Sequence, residues 1–145
     1  MIEIFPMEKK HLEEVAAAEK EIFSDPWTYA SLSSYLESSV QKSYVATEEN
    51  EVVGYLLATS LLGEGEILRI AVKEKARKKG VAKALFSHFL PDLDSVFLEV
   101  RSQNTAARCL YEALGFQQTG TRKNYYKNPQ DDAVLYYLQQ KGQTV

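Results

Sequence analysis

Arg69-Ile70-Ala71-Val72-Lys73-Glu74-Lys75-Ala76-Arg77-Lys78-Lys79-Gly80-Val81-Ala82-Lys83-Ala84-Leu85-Phe86 reads as an apolar strand, a cationic turn and an apolar helix. Helix starts ordinarily collect Asp and Glu, because the unpaired N–H groups there carry about half a unit of positive charge. This one collects Arg77, Lys78, Lys79 and Lys83, an arrangement that makes electrostatic sense when a polyanion sits on it. Gly80 lets the backbone approach a ligand and the small Ala82 keeps the first turn open, so the N–H groups of Lys78, Lys79, Gly80, Val81 and Ala82 can point at phosphate oxygens. The spacing Arg-x-x-Gly-x-Ala is neither the P-loop nor the three-glycine dinucleotide fingerprint, so nucleotide hydrolysis and hydride transfer lose support and another pyrophosphate ligand stays open. A solvated basic face is the other reading of the same cations.

Composition makes the basic stretch a local device. The chain has 145 residues, 45% of them hydrophobic, and a formal charge of −3; a pI near 5.5 argues against a general nucleic-acid binder, which needs excess Lys and Arg to displace counterions. One domain over residues 1–145 is expected, because length gives no reason for two. With one cysteine, Cys109, and two histidines, His11 and His88, no internal disulfide or conventional zinc cluster can form, and no metal is expected. No long apolar run suggests a membrane span, and Met1-Ile2-Glu3-Ile4-Phe5 lacks the basic start of a secretory signal. A soluble cytoplasmic protein with no membrane or direct nucleic-acid partner is expected.

Outward from the central stretch, the pattern predicts a mixed α/β domain. Ile2–Ile4 alternates as a strand ended by Pro6, and Leu12, Val15, Ala16, Glu19, Ile22 and Phe23 mark a helix. Thr28 caps a short helix with Tyr29, Leu32, Tyr35 and Leu36. Strands at 44–47 and 52–58 flank a polar interval that fits a hairpin. A strand from Glu66 to Val72 feeds the cationic turn, and the helix after it stops before Pro91. Strand 96–100 should pair in parallel with strand 66–72 through a right-handed crossover. Asn104 caps a helix from Thr105 to Leu114, terminated by Gly115. Strands at 116–126 and 134–138 follow, with a frayed tail after Gln139.

Arg77-x-x-Gly80-x-Ala82 after Leu68-Arg69-Ile70-Ala71-Val72, then Asn104…Ala107…Leu110-Tyr111-Glu112-x-Leu114-Gly115-Phe116, resembles the GCN5-related N-acetyltransferase (GNAT) family over nearly the whole chain. The resemblance implies the GNAT acyl-CoA N-acyltransferase fold: a central mixed, mostly antiparallel sheet with splayed parallel strands and flanking helices. It implies acetyl-CoA as cosubstrate, its pantetheine arm lying along Ile70, Ala71 and Val72 and its pyrophosphate on the loop Arg77 to Ala82. Asn104 would reach the cofactor as its family counterpart does, although a helix cap explains it equally.

Phe23-Ser24-Asp25-Pro26-Trp27, Leu98-Glu99-Val100-Arg101, Leu110-Tyr111-Glu112 and Arg122-Lys123-Asn124-Tyr125-Tyr126 are similar to one branch of that family. Its members acetylate the N-terminal alanine of ribosomal small-subunit protein 18. In that branch the glutamate is the proposed general base and the helix tyrosine the general acid, which carry over to Glu99 and Tyr111. A protein N-terminus, ribosomal in origin, is thus the implied partner, with Trp27, Tyr125 and Tyr126 as candidate groove residues. A small amine or another protein N-terminus is the alternative acceptor, and a non-catalytic acyl-CoA-binding module is the alternative of a different class.

The residues themselves leave alternatives open. Val96, Leu98 and Val100 share one strand face and leave Glu99 with Phe97 and Arg101 on the other, where Glu99 is either a base or the partner of Arg101. Tyr111 is either an acid or a core aromatic. An α-amine with a pKa of about 7.7–8.0 is roughly a tenth to a sixth neutral at pH 7, so an N-terminal acceptor needs little help from a base. Cys109 has no histidine near it in sequence and reads as a small core hydrophobe rather than a nucleophile. His11 and His88 face solvent or fill a core margin. Arg69 stands where many relatives carry Asn; a long cation there would contact the cofactor or repel an acceptor whose second residue is basic.

Overall fold

The computed structural model describes residues 1–140; the expected fraying beyond Gln140 lies outside them. Strands β1 (Ile2–Pro6), β2 (Tyr44–Glu48), β3 (Glu51–Leu61), β4 (Glu64–Val72), β5 (Ser95–Arg101), β6 (Gln117–Tyr126) and β7 (Asp131–Gln139) alternate with helices α1 (Leu12–Ile22), α2 (Tyr29–Leu36), α3 (Val81–Phe89) and α4 (Thr105–Ala113). The strands form one mixed sheet in the order β1-β2-β3-β4-β5-β7-β6. The described residues gather into two compact units, Met1–Ser60 with Leu68–Pro91, and Leu61–Ile67 with the chain from Asp92 onward. β4 therefore contributes to both.

The first unit covers its strands on both faces. Val45, Val52, Tyr55, Leu57 and Ala71 form a core with Met7, Leu12, Val15 and Ala18 around α1 and with Leu32 of α2. Val81, Leu85, Phe86 and Phe89 of α3 are buried as well. Burial on both sides explains why Val52 to Ala58 is a continuous buried run rather than an alternating one. Gly54 is required here: a Cβ would sit 2.9 Å from Val81 Cγ1 and 3.0 Å from the Ala71 carbonyl oxygen. Thr28 caps α2 as expected, accepting from the Ser31 N–H at 3.1 Å.

The second unit buries one sheet face. Val96, Leu98, Val100, Val134, Tyr136 and Leu138 are buried together with Tyr111 of α4 and Phe116. Phe97, Glu99, Arg101 and Leu135 alternate with them and stay partly exposed. Parallel pairing of β4 with β5 runs from Glu64↔Ser95 to Ile67↔Leu98, as the crossover requires. Glu99 lies opposite Leu135 of antiparallel β7.

Strand ends differ from the sequence reading. β1 continues through Pro6, which pairs with Tyr44 at a sheet edge where the missing N–H costs nothing. β3 runs on to Leu61 and β4 begins at Glu64 rather than Glu66, because Gly65, paired with Val96, is extended and buried rather than part of the turn. β7 takes in Asp131 and Asp132; Asp131 is buried because its carboxylate accepts from Ser102 Oγ at 2.6 Å and from the Gln103 N–H at 3.1 Å.

Candidate active site

In the first unit, the cationic turn leaves β4 through a single 3-10 turn at Glu74–Ala76. Arg77 Nε donates to the Val72 carbonyl at 3.0 Å and so folds the turn back on the strand end. Lys78 and Gly80 both have positive φ, 64° and 79°. That left-handed conformation costs an L side chain about 1–2 kcal/mol, and Gly80 escapes it. A Cβ at Gly80 would meet nothing within 4 Å, so the glycine serves backbone conformation and an open approach. Gly80 is the N-cap residue of α3 and has no side chain to close it, so the N-cap side chain takes up none of the first-turn N–H groups that α-helices leave unpaired. Arg77, Lys78, Lys79 and Gly80 are exposed, Ala82 is partly buried and Val81 is core. Lys79 reaches Glu48 at 3.5 Å, and Lys75 pairs with Glu51. This exposed, cationic, glycine-started helix suits a pyrophosphate. Ile70 and Val72 are partly buried and Ala71 is buried.

The charge of Arg69 is taken up internally. Its guanidinium bonds to the buried Glu19 at 3.0 Å and stacks 3.8 Å from the Phe23 ring centroid. Neither cofactor contact nor repulsion of a basic acceptor is needed to account for it. Trp27 is partly buried, its ring edge-on to Tyr35 at 5.5 Å.

In the second unit, Glu99 faces Arg122 of β6 at 3.5 Å. Arg101, the partner considered from sequence, turns away: it donates to the carbonyls of Pro129 at 2.7 Å and Lys127 at 3.3 Å and lies over the Tyr126 ring. The register explains the exchange, because β5 and β6 flank β7, and Arg122 opposite Ala133 reaches across it. Arg122 also sits over Tyr125, 5.4 Å from its centroid, and Tyr125 meets Tyr126 edge-on at 5.1 Å. Glu99 is thus linked through Arg122 to Tyr125, which in turn meets Tyr126.

Tyr111 is 4% exposed, between Phe116 and Tyr136. Burial, with the nearby Tyr126 phenol adding to it, raises its pKa well above the ordinary phenol range. Asn104 caps α4, its Oδ1 accepting from the Ala107 N–H at 3.1 Å. Cys109 is exposed, contrary to the core position read from sequence; α4 turns Tyr111 inward instead. His11 is buried and takes a hydrogen bond on Nδ1 from the Glu8 N–H at 2.9 Å, and burial lowers its pKa. His88 is exposed. Among the described residues, no group of three or more His, Cys, Asp or Glu is placed to hold a metal ion, and no helix is long and apolar enough to cross a membrane.

Sequence reasoning did not single out Glu19, Tyr55 or Arg122. The available signal for Glu19 was its position: a carboxylate on the apolar stripe of α1, in register with Val15 and Ile22.

The family model for Acetyltransferase (GNAT) family matches residues 12–116. The chain is 28% identical over 120 residues, 78% of this chain and 80% of the other, to the [ribosomal protein bS18]-alanine N-acetyltransferase of Escherichia coli strain K12. It is similar to the crystal structure of the ribosomal-protein-S18-alanine N-acetyltransferase from Escherichia coli, with TM-score 0.89 and 25% identity over 100% of this chain and 99% of that one. It shares its fold with Arabidopsis thaliana NAA60 crystallised in complex with acetyl-CoA, at TM-score 0.85 and 20% identity over 96% and 99% of the two chains.

Proposed function

The chain belongs to the GNAT acetyltransferase family, and from that premise we propose that this acetyl-CoA-dependent N-acetyltransferase modifies a protein N-terminal α-amine, the alanine of ribosomal small-subunit protein 18. The observation that carries the acceptor is the RimI-type likeness to the Escherichia coli alanine N-acetyltransferase over most of both chains.

The cosubstrate supplies an acetyl group activated as a thioester. In the proposed arrangement the N–H groups around Gly80 and the charges of Arg77, Lys78 and Lys79 hold its pyrophosphate. The backbone of Ile70, Ala71 and Val72 lines the pantetheine arm as an added strand would. Asn104 Oδ1 is committed to the α4 cap, so contact with the cofactor would fall to its amide nitrogen. Trp27, Tyr125 and Tyr126 meet the acceptor peptide.

Glu99 accepts the amine proton through a water while the nitrogen bonds to the acetyl carbon and the carbon–sulfur bond breaks. Because a sizeable fraction of an α-amine is already neutral at pH 7, this base needs position more than strength. Tyr111 donates a hydrogen bond to the departing sulfur. Full proton transfer from a phenol near 10 to a thiol near 8.5 is uphill by about 2 kcal/mol, and burial of Tyr111 makes it steeper. Its role is therefore hydrogen bonding.

Mass spectrometry of ribosomal proteins from cells with and without this chain tests the acceptor. Acetylation of the alanine only when the chain is present is the expected result; an identical terminus in both discards that acceptor and leaves the transferase.

A further inference from the structure

Glu19 of α1 is wholly buried, yet the reaction above makes no use of it. Its Oε1 accepts from the Trp27 N–H at 2.9 Å and from Arg69 Nη2 and Nε at 3.0 and 3.3 Å. Its Oε2 accepts from the Tyr55 hydroxyl at 2.6 Å. Arg69, with 15% of its side chain exposed, also has the Asp25 carboxylate at 3.5 Å, donates from Nη2 to the Asp25 carbonyl at 2.8 Å, and stacks on Phe23. One guanidinium thus engages Glu19, Phe23 and Asp25 directly, and Trp27 through the shared carboxylate.

The stretch Phe23–Trp27 has neither helix nor strand to hold it. Alternation along β4 puts Arg69 on the face of Ala71, and Ala71 belongs to the core against which Phe23 and Trp27 pack. A buried ion pair is a poor source of net stability, since apolar residues of similar volume often do as well or better. What this one supplies is geometry, because each donor reaches its acceptor only if the stretch adopts one path beside the strand.

We propose that Arg69 is a positioning residue that, through Glu19 and Asp25, fixes Phe23–Trp27 alongside Ile70–Val72 as a preformed edge for the acceptor peptide. The inference rests on the reading that Ile70–Val72 carry the thioester arm and that Trp27 meets the acceptor.

Arg69→Lys and the charge-free pair Glu19→Gln/Arg69→Gln test it. Lys keeps the charge beside Glu19 but lacks the planar fork that serves Asp25 and stacks on Phe23; the pair removes the charges without stranding a buried carboxylate. Both variants should fold, with the acceptor-peptide KM raised about tenfold, a change of 1.4 kcal/mol, while kcat and the calorimetric affinity for acetyl-CoA stay near wild type. Hydrogen exchange should quicken at the amides of Phe23, Ser24, Asp25 and Trp27 and not at those of Ile70, Ala71 and Val72. Folded variants with an unchanged acceptor KM, or acetyl-CoA binding weakened as much as acceptor binding, overturn the proposal. Should wild type not acetylate the peptide, the reading of function falls, and exchange at 23–27 still decides the tie: unchanged rates overturn it.

Discussion

Two glutamate–arginine pairs, one in each unit, use the same groups in opposite ways. Glu19–Arg69 closes at 3.0 Å with the carboxylate buried and both its oxygens engaged. Glu99–Arg122 stands at 3.5 Å with the side chains 18% and 54% exposed. The first lies where both sheet faces are covered, so its charge is consumed in holding the chain. The second lies on the sheet face that is not buried, where a loose pair in higher dielectric is weak and leaves the carboxylate able to exchange partners. Burial, more than residue type, separates the tight pair from the loose one.

The strongest way to break this contrast is Arg69→Met, which strands the Glu19 carboxylate in the core. Thermal or urea unfolding should show a loss of about 3–5 kcal/mol. Glu99→Gln comes next: kcat/KM for an N-terminal peptide should fall about 100-fold, with little change in unfolding free energy. Retained turnover at neutral pH would remove Glu99 from its role. Tyr111→Phe should keep its packing and lose about tenfold in kcat, the size of one hydrogen bond near 1.4 kcal/mol. The smallest effect belongs to Arg122→Gln, where a surface-type pair predicts at most about 1 kcal/mol in unfolding.

Alkaline pH sharpens the comparison from another side. Burial raises the phenols of Tyr55, in the first unit, and Tyr111, in the second, above their ordinary range, with Glu19 adding to the effect at Tyr55. A raised folded value has no effect below the unfolded pKa near 10; above it the unfolded chain releases its proton first, and stability falls by up to about 1.4 kcal/mol per pH unit for each tyrosine. The melting temperature should therefore drop as pH rises past about 10, and Tyr55→Phe should lessen the slope.

The parts of the site that were legible in sequence are those whose signals are local. Thr28, Asn104 and Gly80 announce helix starts within a few residues of themselves, and the alternation of Val96, Leu98 and Val100 put Glu99 on the correct face. Arg101 looked like its partner because it is two residues away on the same face; the partner is Arg122, because an intervening strand places β6 within reach. Glu19 was read as one position on a stripe, and nothing within a turn of it disclosed Arg69, fifty residues on.

From the chain alone follow the order strand, cationic turn, helix, the helix caps and the parallel pairing of β4 with β5, and its motifs carry the likeness to the family. The order and the caps rest on periodicity and on groups within a turn, the parallel pairing on the handedness of the strand–helix–strand crossover, and the family likeness on the motifs from Leu68 to Ala82 and from Asn104 to Phe116. That Arg69 binds Glu19, that Glu99 faces Arg122 and that Cys109 is exposed follow from the fold rather than from local pattern. Those outcomes depend on which distant side chains the sheet brings together and on how far each is removed from water, and the strength of a charge's interactions follows from that removal.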